Sequence, residues 1–286
     1  MQFLVDRIKS WPLILLPHHA ISRLIYRLTR IESGLTPKAV RLFSRIYDVN
    51  LAEASQPDPT AYRSFNQFFT RELASDARQI DQLSTGIASP VDGCVSQAGS
   101  INAGTIFQAK GRDYQLTDLL GGREHDATPF LNGRFATLYL SPRDYHRIHM
   151  PVAGKLKSMH YVPGRLFSVA PHTVRVVPRL FARNERVVAL FDTPAGNVAM
   201  ILVGAINVAA IETVWAGLVT PPAGRQVVHT DYTDTDISLG KGQEMGRFNM
   251  GSTVILLFPS SAEWNPTLKE GQSVKLGQRV GEFKTG

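Results

Sequence analysis

Met250-Gly251-Ser252-Thr253-Val254-Ile255-Leu256-Leu257-Phe258 places a small hydroxyl residue where a tight turn enters an unbroken apolar run. Such a run reads as a buried strand, and Gly251 lets the backbone turn sharply before it. With no Cβ to obstruct the approach, the Gly251 carbonyl is open to attack by the Ser252 hydroxyl. An N-to-O acyl shift would turn that peptide bond into an ester. If a base then removes the Ser252 α-proton, elimination and hydrolysis leave an N-terminal pyruvoyl group, an electrophilic ketone made from the chain itself. The tripeptide alone also fits an ordinary turn before a core strand, so its surroundings decide.

Working outward, residues 135–140, 187–191, 198–203, 208–211 and 274–276 share the short apolar texture of 254–258, and Gly, Pro and Asn separate them. This predicts a β-rich region after about residue 80. The stretch between Thr220 and Gly242 reads as a surface loop. Upstream the texture is helical. Ile21, Leu24, Ile25, Leu28 and Ile31 follow helical spacing, while Arg23, Arg27 and Arg30 fall elsewhere on the wheel. Further helices are expected over 37–47 and 64–73, the latter anchored by Phe65, Phe68 and Phe69. The segment Trp11-Pro-Leu-Ile-Leu-Leu-Pro17 is too short to span a bilayer and is closed by proline at both ends, so it reads as lying on a membrane, with neither a transmembrane helix nor a signal peptide. The expected fold class is α+β. Amphipathic helices over 1–75 form a membrane-associating region, and 76–286 form a β-rich catalytic domain with mainly antiparallel strands.

A chain of 286 residues with 43% hydrophobic content can bury a sizeable core. Cys94 is the only cysteine, which excludes an intrachain disulfide framework and a cysteine-based zinc cluster and fits a reducing compartment. The formal net charge is +7, and residues 1–47 hold eight Lys/Arg against two acids, a local net of +6. A basic segment of this kind suits nucleic acid or an anionic membrane, and its apolar partners favour the membrane.

Three polar residues can activate a serine: Asp92 in Ser89-Pro-Val-Asp-Gly93, and His146 and His149 in Leu140-Ser-Pro-Arg-Asp-Tyr-His-Arg-Ile-His-Met-Pro151. A hydroxyl becomes a good nucleophile when an imidazole takes its proton, and a carboxylate helps by fixing the tautomer and stabilising the cation. Asp92 also fits the first position of an Asp-Gly turn, and His149 fits a satisfied core histidine. The spacing of His146 and His149 lets both face one side of a helix as a metal pair, but no third ligand is evident and no metal is expected. Gly-x-Ser-x-Gly is absent, which weighs against an α/β-hydrolase esterase.

Seven strings occur in order: Phe65-Asn-Gln-Phe-Phe-Thr-Arg-Glu-Leu73, Ser89-Pro-Val-Asp-Gly93, the 140–151 segment quoted above, Tyr161-Val-Pro-Gly-Arg-Leu-Phe-Ser-Val169, Leu180-Phe-Ala-Arg-Asn-Glu-Arg186, Glu212-Thr-Val-Trp-Ala-Gly217 and Lys241-Gly-Gln-Glu-Met-Gly-Arg-Phe-Asn-Met-Gly-Ser-Thr253. Together they span nearly the whole chain, which resembles the bacterial phosphatidylserine decarboxylases. Met250 stands where many relatives have leucine, a volume-conserving swap. Ala170-Pro171 departs more, since many relatives carry Asn after the Phe-Ser-Val run, and no substrate hydrogen bond is assigned there.

The resemblance implies a pyruvoyl-dependent lyase made as a proenzyme and cleaved between Gly251 and Ser252 into a β chain, 1–251, and an α chain, 252–286. It implies that Ser252 becomes the pyruvoyl group, the only cofactor. Asp92 and His149 match the pair that activates this serine, and His146 a second active-site histidine used in decarboxylation. The substrate amine then forms a Schiff base with the pyruvoyl carbonyl, carbon dioxide leaves, and phosphatidylethanolamine results. The implied partners are phosphatidylserine, an anionic membrane surface and the two cleaved chains, with a homodimer left open and no nucleic acid. The implied location is peripheral, on the cytoplasmic face of the bacterial inner membrane. Two alternatives stand beside this: a lipid-directed serine hydrolase using Asp92, His149 and Ser252 without self-cleavage, and a carrier module, because 274–280 has the turn-and-strand texture of biotinyl domains.

Overall fold

Gln2–Ile14, His18–Leu28 and Thr36–Tyr47 are helices α1 to α3 of a computed structural model that describes residues 2–14, 16–109, 112–206, 210–221, 224–249 and 253–284. The turn at Met250, Gly251 and Ser252, and part of the 208–211 strand, therefore lie outside the described residues. Helix α1 covers much of the proline-bounded 11–17 segment. Pro12 falls in its last turn, where a lost backbone hydrogen bond leaves the earlier turns intact. Among the described residues no helix is long and apolar enough to cross a membrane.

These helices dock on the body through polar contacts. The Asp6 carboxylate accepts from Arg175 Nε at 2.7 Å and Nη2 at 3.0 Å, and His19 Nε2 donates to the Gly164 carbonyl at 2.9 Å. Their apolar side chains are divided. Ile21 and Ile25 are half-buried, whereas Leu24, Leu28 and Ile31 are more than half exposed beside the exposed Arg23 and Arg27.

Phe65–Phe69 forms a short helix, α4, capped by the Ser64 hydroxyl accepting from Gln67 N at 3.3 Å. It is shorter than the 64–73 helix expected, because the chain straightens beyond Thr70 and Leu73 bridges to Ala54. Phe68 and Phe69 join Val40, Val49 and Tyr62 in a satellite core under α3.

The main core belongs to a nine-stranded sheet. Its order is Val228–Asp231, Gly154–Val162, Arg186–Thr193, Gly196–Val203, Thr253–Phe258, Arg134–Tyr139, Gly93–Ser100 and Ser273–Val274, with Ser238–Leu239 also on Gly154–Val162. The neighbouring pairs are antiparallel, so the α+β reading with mainly antiparallel strands is borne out. Thr253–Phe258 lies between two long strands with every residue buried, the environment its uninterrupted apolar character requires. The 220–242 stretch is not simply a loop. Two short strands within it zip onto Gly154–Val162 and satisfy backbone groups that would otherwise form an open edge. A second sheet, ordered Gly217–Thr220, Ile211–Thr213, Glu244–Phe248 and Arg147–His149, carries His149, with His146 immediately before its last strand.

Candidate active site

Thr253 pairs with Tyr139 on one side and Val203 on the other, and Tyr139 in turn pairs with Cys94, two residues after Asp92. On the upstream side of the turn, Phe248 N donates to the His146 carbonyl at 3.0 Å, and Arg247 pairs with Arg147. His149 N donates to the Pro90 carbonyl at 2.9 Å, tying the histidine strand to the loop that ends in Asp92. The backbone thus ties His149 to the Asp92 loop, sets His146 beside Phe248, and puts Cys94 one strand removed from Thr253. His149 ends the strand Arg147–His149 and His146 precedes it, so the two are not on a helix and the helical spacing that suggested a metal pair does not arise.

The partners of His149 determine its tautomer. Nδ1 lies 2.8 Å from the Gly242 carbonyl, which can only accept, so Nδ1 carries the proton. Nε2 then holds a lone pair and accepts from the Tyr145 hydroxyl at 3.0 Å. Burial lowers the His149 pKa, against a partial opposing pull from the Gly242 hydrogen bond, and burial raises that of Tyr145, so the ring is neutral and the phenol remains a donor near neutral pH. Gly242 reaches this geometry at φ +78°, and a Cβ there would meet Ile80 at 2.9 Å, so the turn requires glycine.

Asp92 does not hydrogen-bond to His149. Its Oδ1 accepts from Arg78 Nε at 3.0 Å and Leu276 N at 2.8 Å, and its Oδ2 from Arg78 Nη2 and Lys275 Nζ. Burial pushes its carboxyl up, but Arg78, the Leu276 amide and Lys275 together outweigh burial and hold it below the usual range. Asp92 is therefore a fixed negative charge that favours the His149 cation across space, while the Gly242 carbonyl sets the tautomer.

His146 is fully buried, with Nδ1 donating to the Asp144 carbonyl at 2.8 Å and its ring 4.1 Å from that of Phe69. Burial, assisted by the Arg71 charge, lowers its pKa to about 3. Among the described residues, His146 Nε2 and Thr253 Oγ1 are buried polar atoms without a hydrogen-bond partner. The backbone carbonyl of His146 accepts from Phe248 N, and Thr253 opens the central strand that follows residue 252.

Two cavities share Tyr139 as a wall. One of 440 Å³ has many charged residues in its wall, among them Asp92, Arg71, Arg78, Arg143 and Lys275. The other, of 160 Å³, has no charged residue in its wall, which includes Phe43, Tyr47, Phe69, Leu140, Val169 and Ala205.

A family model for phosphatidylserine decarboxylase matches residues 65–282. The chain belongs to the phosphatidylserine decarboxylase family. A second model, PSD, matches residues 8–48, the span of the N-terminal helices. Similar curated proteins are named phosphatidylserine decarboxylase proenzyme. That of Nitrosococcus oceani is 54% identical over 98% of this chain and 94% of its own length. That of Pseudoalteromonas atlantica is 53% identical over 95% and 96%, and that of Shewanella frigidimarina 50% identical over 98% and 99%. The chain is accordingly an enzyme, a carboxy-lyase of this phosphatidylserine decarboxylase family.

Residue-type reasoning missed the groups that hold the site: Arg78 and Lys275 on Asp92, and Tyr145 and Gly242 on His149. Gly242 and Tyr145 lie in strings that carried the resemblance, but a backbone acceptor leaves no side-chain signature. Arg30 also departs from expectation. Read with Arg23 and Arg27 as part of a basic outer face, it turns inward, and its Nη2 donates to Asn249 Oδ1 at 3.0 Å.

Proposed function

We propose that this chain is a proenzyme that splits itself between Gly251 and Ser252 and then decarboxylates phosphatidylserine to phosphatidylethanolamine. The observation that carries the proposal is the half-buried, neutral His149, its Nε2 lone pair set by the Gly242 carbonyl and its strand paired with the Glu244–Phe248 strand that leads toward Gly251. His149 takes the Ser252 hydroxyl proton while Tyr145 yields its hydrogen bond, and the hydroxyl oxygen bonds to the Gly251 carbonyl carbon. The C–N bond breaks, the proton passes to the freed amine, and an ester remains. Loss of the Ser252 α-proton expels the Gly251 carboxylate, and hydrolysis releases ammonia, giving the pyruvoyl terminus. Asp92 stabilises the imidazolium formed on the way.

In the mature enzyme the pyruvoyl carbonyl supplies an electrophile for the substrate amine and a sink for the electron pair left by the departing carboxylate. The chain's own residues do the rest. Neutral His146, fully buried with its ring tilted against Phe69, offers its Nε2 lone pair to a proton near this group. The two cavities that share Tyr139, one with charged residues in its wall and one without, suit an amphiphile, with headgroup in the first and glycerol with acyl roots in the second. We assign residues 1–75 to membrane docking and 76–286 to catalysis, peripheral on the cytoplasmic face of the inner membrane.

The base assignment predicts a pH profile. Because the His149 pKa is lowered, self-cleavage is expected to be constant above pH 6.5 and to fall with acidification at a midpoint below that value, as protonation removes the Nε2 lone pair. A time course of chain splitting across pH measures it, and a rate that rises as pH falls would rule out His149 as the base.

Membrane docking is supported by the exposure of Ile8, Trp11, Leu24, Leu28, Leu42 and Ile46 on the helical region. Each basic residue near an anionic surface contributes roughly 1 kcal/mol. Replacing Arg23 and Arg27 with glutamine is therefore expected to lower partitioning into anionic vesicles about thirtyfold, with activity on bilayers falling more than activity on detergent-dispersed substrate. Co-sedimentation unchanged by the double substitution would place the contact elsewhere.

A further inference from the structure

We propose that Arg30 is a positioning residue for self-cleavage, by which the N-terminal helical region fixes the chain entering the Gly251–Ser252 junction. It rests on the chain splitting there, and it assigns α2's end a part in that reaction beyond membrane docking. Arg30 follows α2 and is locked from its own side: its guanidinium lies 3.6 Å from the Tyr26 ring centroid, and Nη1 donates to the Tyr26 carbonyl at 3.3 Å. Nearby, Asn66 N of α4 donates to the Thr29 carbonyl at 2.8 Å, which holds the end of α2 in place.

The opposite end of the side chain meets Asn249, two residues before Gly251. Arg30 Nη2 donates to Asn249 Oδ1 at 3.0 Å and lies 3.5 Å from Glu212 Oε1. Asn249 Nδ2 donates to that same Glu212 oxygen at 2.9 Å, and Arg247 Nε lies 3.5 Å from Oε2. The Asn249 amide is thereby fixed from both ends, its oxygen by Arg30 and its nitrogen by Glu212. Asn249 is also 1% exposed, and its backbone N donates to the Ala210 carbonyl at 2.9 Å. It is the last described residue before Gly251, while Thr253 is clamped in the central sheet just beyond Ser252.

Attack of Ser252 on Gly251 needs reacting atoms held in contact, and anchoring both ends of so short a span provides that pre-organisation. The downstream anchor is the sheet itself. The upstream anchor is a side-chain network in which Arg30 is the only member contributed by residues 1–75 among the described contacts of Asn249 and Glu212. A lysine at position 30 keeps the charge but lacks the planar fork that reaches both Asn249 and Glu212.

The test is the cleavage time course of full-length precursor for wild type, Arg30→Ala, Arg30→Lys, Asn249→Ala and the Arg30→Ala/Asn249→Ala double variant, each with its thermal midpoint. Arg30→Ala is expected to split about ten- to a hundredfold more slowly, with Arg30→Lys intermediate. Guanidinium ion added at millimolar concentration is expected to recover part of the Arg30→Ala rate, which a purely structural defect would not allow. The double variant is expected to be no slower than Asn249→Ala, because the two side chains act as one unit. Wild-type splitting in Arg30→Ala and Arg30→Lys, or losses that multiply in the double variant, would overturn the proposal. A wild-type precursor that never splits would instead remove the self-cleavage on which it rests.

Discussion

Ser252→Ala is expected to give a chain that stays whole and releases no carbon dioxide from phosphatidylserine. Alanine lacks the hydroxyl proposed to attack the Gly251 carbonyl, so on this account neither the ester nor the pyruvoyl terminus can form. The substitution removes one oxygen next to Thr253, whose strand is buried and paired on both sides, so the fold is expected to survive. Gel electrophoresis together with a decarboxylation assay reads both effects. Normal turnover by this variant would remove Ser252 from the chemistry altogether.

His149→Ala and Asp92→Asn are expected to separate in a way that follows from their partners. If His149 is the base, as proposed, its loss is expected to stop cleavage on the time scale of the wild-type reaction. Asp92→Asn should slow cleavage less than the roughly ten-thousandfold seen where a triad carboxylate sets the tautomer, because here the Gly242 carbonyl does so. Its larger effect is on stability. Asp92 and Arg78 are both largely buried, and removing one charge of a buried pair costs about 3–5 kcal/mol, with Glu53 beside Arg78 keeping the loss near the low end. Thermal midpoints compared in the uncleaved Ser252→Ala background isolate this effect. An Asp92→Asn chain that melts like its parent yet cleaves as poorly as His149→Ala would mean that the carboxylate acts directly on the imidazole.

The fold was legible where local pattern and burial coincide. Thr253–Phe258 carries no charge and is flanked by strands on both sides, and α2 and α3 repeat apolar residues at helical spacing. The strands at Val228–Asp231 and Ser238–Leu239 were not legible, because they are short and largely exposed and owe their form to pairing with Gly154–Val162. Helix α4 was overread because a long-range bridge from Leu73 to Ala54 draws the chain straight beyond Thr70. The site divides in the same way. Asp92, His146 and His149 stood out by residue type, but the contacts that set their states come from distant positions: Arg78, Lys275 and Leu276 for Asp92, and the Gly242 backbone for His149. Arg30 was misplaced because a wheel shows which face a residue occupies and not what stands opposite it.

Self-cleavage at Gly251–Ser252 is the claim on which the rest depends, and intact mass spectrometry of the purified protein tests it most directly. The expected result is two species, residues 1–251 ending in a free carboxylate and residues 252–286 whose first residue is lighter by one ammonia than serine and resists Edman degradation. A single chain of 31.6 kDa that nonetheless decarboxylates phosphatidylserine would contradict it.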